Sequence, residues 1–119
     1  MPIRRAQAIP MTVVAFGDID NVDYQVMNGD GLGAACWEIK IVNDTPEDIY
    51  YSFDGVTNHG YVRGRNTDTL EAGVEILRAP AQQGPLAGTV LWQQGQKIWG
   101  IYSGSAALAG NIYITGLYN

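Results

Sequence analysis

The residues able to do chemistry in this chain are few, and their spacing decides what each can do. The glycine-rich stretch Asn28-Gly29-Asp30-Gly31-Leu32-Gly33 invites comparison with a phosphate loop. Such a loop works when a helix opens at the glycines, so that backbone N–H groups and the helix dipole face the anion. Here Ala34 to Val42 follows and alternates as a strand, and no lysine stands beside the glycines. The stretch is therefore expected to be a strand-to-strand loop. Asp18, Asp20, Asn21 and Asp23 have the density of oxygen that a hard cation uses. Yet Val22 falls where a fifth-position ligand would stand and no glutamate closes the loop, so a solvated turn is the expectation. Nucleophilic catalysis would have to use His59, the only histidine, or Cys36, the only cysteine. Metal catalysis draws on two or three His or Cys ligands, and the chain has one of each. The carboxylates fall on turns without the pairing a glycosidase needs. The sequence predicts no enzyme, no cofactor and no metal centre.

The elements that would position these residues are short strands. Runs of β-branched and aromatic residues, separated by Gly, Asn, Asp and Pro, fall at Met11 to Phe16, Val22 to Met27, Ala35 to Val42 and Ile49 to Phe53. In Ala35 to Val42, the period of two puts Trp37, Ile39 and Ile41 on one side and Cys36, Glu38, Lys40 and Val42 on the other. Asp54-Gly55 signals a tight turn into a strand over Val56 to Val62. Leu70 to Leu77 fits a strand or a short helical turn. Ala79 to Gly88, with two prolines, reads as a loop. Thr89 to Trp92, Lys97 to Tyr102 and Asn111 to Tyr118 complete the set, the first two linked by a hairpin at Gln94-Gly95-Gln96. Gly116, in register with Ile112, Ile114 and Tyr118, marks a bulge or a close backbone approach. About eight strands with turns between them predict an all-β antiparallel sandwich or jelly roll. The whole is one domain over residues 11–119, preceded by residues 1–10 as an extended arm or a frayed tail.

Composition excludes several partners. The 119 residues carry seven Lys and Arg against twelve Asp and Glu, a formal charge of −5. A duplex-binding surface needs clustered cations, so nucleic acid is not expected as a partner. No apolar run approaches a membrane span, and Arg4-Arg5 is followed by Gln7 and Pro10, unlike a secretory signal. A single cysteine makes no internal disulfide. Charged residues are only 16% of the chain, against about a quarter in ordinary globular domains. That deficit suggests a surface covered in part by other protein. Large residues on both faces of Ile98-Trp99-Gly100-Ile101-Tyr102 and Ile112-Tyr113-Ile114 point the same way, because strands apolar on both sides are covered on both sides. Tyrosine and tryptophan suit such contacts, with sugar stacking as the competing use.

The stretch from Ile41 to His59, with Asn43-Asp44-Thr45, then Ile49-Tyr50-Tyr51-Ser52-Phe53-Asp54-Gly55, then Val56-Thr57-Asn58-His59, resembles a pattern in small virion structural proteins of tailed bacteriophages. The C-terminal part, Lys97 to Tyr118, is similar to the same proteins in its strand, its Gly/Ser-rich link and its final Gly-Asn-Ile-Tyr-Ile strand. Where that pattern has a Leu-Pro-Ala-Gly turn after the histidine, this chain has Val62-Arg63-Gly64-Arg65. The resemblance implies a non-enzymatic β-sandwich of the virion, assembled in the host cytoplasm. The expected role is a capsid decoration, cement or head-fibre-base subunit on the outer shell. Neck, collar or tail accessory proteins are the alternative, and a carbohydrate-binding module for host attachment is a third. Expected partners are the major capsid protein or other virion proteins, and further copies of the chain, with a trimer as the closed assembly. Ile3, Arg4, Arg5 and Ile9 are the expected arm contacts. Trp92, Trp99, Tyr113 and Tyr118 are the expected contacts of the sandwich faces.

Overall fold

A computed structural model describes residues 7–78 and 92–118. The fold is all-β: two antiparallel sheets packed as a sandwich, with a single 3-10 turn at Phe16–Asp18 among the described residues. The strands are β1 (Gln7–Ala8), β2 (Thr12–Ala15), β3 (Gln25–Val26), β4 (Glu38–Asp44), β5 (Ile49–Ser52), β6 (Gly60–Val62), β7 (Gly73–Arg78), β8 (Trp99–Tyr102) and β9 (Asn111–Tyr118). The first sheet runs β1-β9-β4-β7, with β2 sharing the edge of β9 that β1 uses. The second runs β3-β8-β5-β6.

Alternation builds the core. Ile39 and Ile41 of β4, Ile112 and Ile114 of β9, and Ile49 of β5 are all essentially inaccessible. Ile49, with Val62 and Tyr102 of the second sheet and Ile98 just before β8, packs in one cluster with the isoleucines of the first sheet. Each such side chain contributes roughly 1.5–3 kcal/mol by leaving water. Gly116 lies in this inner row, where a Cβ would meet Cys36 Sγ at 2.8 Å. The expected close approach is therefore real, and it is what lets the Cys36 segment cross the end of β9.

The chain passes between sheets at a buried polar corner. Asn43 and Thr45 are fully buried. The Asn43 amide donates to the carbonyls of Glu47 (2.8 Å) and Val62 (3.2 Å), and its Oδ1 accepts from the Thr45 hydroxyl (2.7 Å) and N–H (3.1 Å). Buried polar atoms are tolerable only when paired, and here they also tie β4, β5 and β6 together.

Several local expectations shift. Cys36, expected on the side opposite Ile39 and Ile41, is buried in the core with them: β4 begins at Glu38, and Cys36 forms an isolated bridge with Trp92 while the half-buried Trp37 donates its backbone N–H to Leu117 O of β9. The bridge to Trp92 draws Cys36 inward before the strand starts. The strand expected over Val56 to Val62 shortens to Gly60–Val62, because side-chain caps hold Asp54 to Thr57 in a turn. Leu70 to Leu77 resolves as a strand from Gly73. Gln93–Gln96 is a turn with Gly95 at φ +87, yet it makes no β8 hairpin, since both edges of β8 are taken by β3 and β5. Ala79 to Gly88 lies outside the described residues.

Candidate interaction surface

The residues singled out for chemistry serve the turns. The glycine-rich loop packs against the Gln93–Gln96 turn: a Cβ on Gly31 would lie 2.2 Å from the Gly95 carbonyl oxygen. Asn28 secures it, donating to Gln96 O and accepting from the Ile98 N–H. Asp20 Oδ1 accepts from the N–H groups of Asp23 and Val22, which holds its carboxyl below the ordinary range. Asp18 accepts from Ala15 N–H. No cluster of three or more His, Cys, Asp or Glu able to hold a metal ion occurs among the described residues. His59 Nδ1 accepts the Phe53 N–H at 2.9 Å, so its lone pair fixes a turn. Cys36 is buried and burial pushes its thiol up, the opposite of an activated nucleophile.

What the fold does assemble is a pair of outer sheet faces. On the first sheet, pairing places Val13 opposite Tyr113, Tyr113 opposite Val42, and Val42 opposite Val74. The result is an apolar row across β2, β9, β4 and β7. Val13 and Val74 are 55% and 52% exposed. The next row sets Lys40 between Thr115 and Ile76, the latter 48% exposed. The Glu38–Arg78 ion pair closes the face at 2.7 Å. Lys40 itself has no ion pair among the described residues.

The second sheet presents aromatics instead. Ile101 pairs with Tyr50, and Tyr50 with Tyr61, which is 46% exposed. Beside that row, Trp99 lies between Val26 and Ser52. Tyr24, one residue before β3, reaches this face and hydrogen-bonds Asn58. Burial raises the Tyr24 phenol, and the nearby Asp54 carboxylate and Tyr50 add to the effect. A capped turn overlies one end of the face. Asp54 Oδ1 accepts from the N–H groups of Thr57 and Val56 and from the Ser52 hydroxyl, holding the carboxyl well below its usual range. Gly55, at φ +76, lies against the Trp99 indole, where a Cβ would approach to 3.0 Å.

The sequence-selected residues distribute unevenly over this geometry. Tyr113 lies on the first face and Trp99 on the second. Trp92 stacks on Phe53 with centroids 6.1 Å apart, and both it and Tyr118 pack against the core. Ile9, expected to reach a neighbour, is 9% exposed in the protein's own core, with its N–H on Gly116 O. An apolar side chain at the open end of the sandwich has its burial within reach there. Ile3, Arg4 and Arg5 lie outside the described residues. Val13, Val74, Ile76, Tyr50 and Tyr61 are not among the expected contacts, and neither is Val42, although alternation sets it on the side of β4 away from Ile39 and Ile41. The signal was present in the adjacent pairs Val13-Val14, Ile41-Val42 and Ile76-Leu77, where both parities are apolar.

Among the described residues no helix is long and apolar enough to cross a membrane. Compared with family models, with curated proteins and with solved structures, the chain matches none.

Proposed function

We propose that this protein is a non-enzymatic structural subunit of a tailed-phage virion, docking on the outer capsid shell as a decoration, cement or head-fibre-base protein and associating with further copies of itself. The observation that carries the reading is the apolar row Val13–Tyr113–Val42–Val74, with Val13 and Val74 exposed and Tyr113 and Val42 half-buried, on a sheet whose other face is already in the core. A soluble subunit gains nothing from such a row unless other protein covers it. The setting rests on the resemblance of residues 41–59 and 97–118 to small virion proteins. The residues of that motif serve architecture: Asn43 and Thr45 form the corner between sheets, and Ser52 and Asp54 form the turn. That use suits a scaffold better than an active site.

Quantitative mass spectrometry of purified particles tests the reading through the copy number relative to the major capsid protein. Copies comparable to the capsid protein are expected. A few copies, matching one vertex, would move the protein to the neck, collar or tail. Absence from the particle would overturn the virion assignment.

A further inference from the structure

The two outer faces differ in chemistry in a way that makes each a fitting cover for the other. The first is mostly aliphatic, with Tyr113 as its aromatic ring, and its one charge outside an ion pair among the described residues is Lys40, standing between Thr115 and Ile76. The second carries Tyr50, Tyr61 and Trp99, with the exposed Asp54 carboxylate at its end. An ammonium group among aliphatic side chains is best satisfied by a carboxylate or by the face of an aromatic ring. Pairing the first face with a second copy of itself would offer Lys40 neither an aromatic face as broad as that of the second sheet nor a carboxylate outside an ion pair.

We propose that copies of this chain associate head to tail: the aliphatic face of one copy covers the aromatic face of the next, with Lys40 directed at the aromatic rings and Asp54. Such a contact is heterologous, and it closes into a ring when the rotation per subunit permits. The inference concerns the isolated protein and does not depend on the virion reading, so the two can fail separately.

Each face is blocked by one substitution at an exposed strand position: Val74→Glu on the first and Tyr61→Glu on the second. Masses are measured by light scattering after size exclusion, and thermal melts confirm that each variant folds. Wild type is expected to be oligomeric, and each variant alone monomeric. An equimolar mixture of the two variants should give a one-to-one heterodimer, since each retains the face the other has lost. Lys40→Glu, which leaves the strands untouched, should weaken wild-type association by about tenfold; no loss of association in that variant counts against the proposal. A monomeric wild type overturns it and assigns these faces to a different protein. A Tyr61→Glu protein that keeps the wild-type mass, or a mixture without heterodimer, also overturns it, in favour of a symmetric contact or none.

Discussion

The outer faces of the two sheets are built from the same backbone geometry and have opposite characters. On the first sheet, β2, β9, β4 and β7 pair without interruption, and their outward positions form rows in which aliphatic side chains predominate, with Val13, Val74 and Ile76 about half exposed. On the second, the strands are shorter, and the connection after β5 turns back through Asp54 and Gly55 to lie on Trp99. Among the described residues no turn is seen against the first face as Gly55 lies against Trp99 on the second. The difference shows that exposure of an apolar side chain is a property of loop placement as much as of the strand that carries it. A second contrast lies beneath. The corner between the sheets is polar and fully paired, whereas the faces carry exposed apolar side chains, so the residues that hold the sheets together are not those of the proposed contact.

That contrast can be broken most severely at the corner. Asn43→Ala removes the side-chain partner of the Val62 carbonyl and of the Thr45 N–H in a fully buried site, and leaves the Glu47 carbonyl to the Thr45 hydroxyl alone. Unfolding in urea should show a loss of about 3 kcal/mol, with Val74→Glu close to wild type in the same assay. A loss below about 1 kcal/mol would mean that the corner does not hold the sheets together. Gly55→Ala comes next. It forces a Cβ into a left-handed position 3.0 Å from the Trp99 indole. A cost of about 1–2 kcal/mol and a red shift of tryptophan emission are expected as the turn lifts from the face. Unchanged emission would mean that Gly55 does not cover that ring.

The smallest effect is electrostatic. Asp54 has a depressed pKa in the folded state, so the stability it lends is present above its ordinary value of 3.8 and is lost as pH falls below that value. Acid titration followed by tryptophan emission should show a transition below pH 4 that is reduced in Asp54→Asn. An identical transition in that variant would assign it to other carboxylates.

Much of this architecture is legible in the residues, because strand and turn signals are local. Ile39 and Ile41, Ile49 and Tyr51, and Ile112 and Ile114 each share a side by alternation, and each pair is buried together. Gly116 announces a close approach, and a Cβ there would meet Cys36. Local signals fail where a side chain competes for the backbone. Asp54 and Ser52 hold as a turn what alternation reads as the start of a strand. They fail again where pairing is long-range, as in the Cys36–Trp92 bridge, which goes with a Cys36 buried on the side that alternation leaves to Ile39 and Ile41.

By itself, then, the sequence determined that the chain is an all-β sandwich with few groups fit for catalysis, since periodicity and composition are properties of neighbouring residues. Only the tertiary structure decided which apolar residues are left over. Val13, Val42, Val74 and Tyr113 are distant in the chain and become one surface through strand register alone. When both parities of a strand are apolar, alternation cannot say which side the core takes; the partner strands and the loops that cover them do.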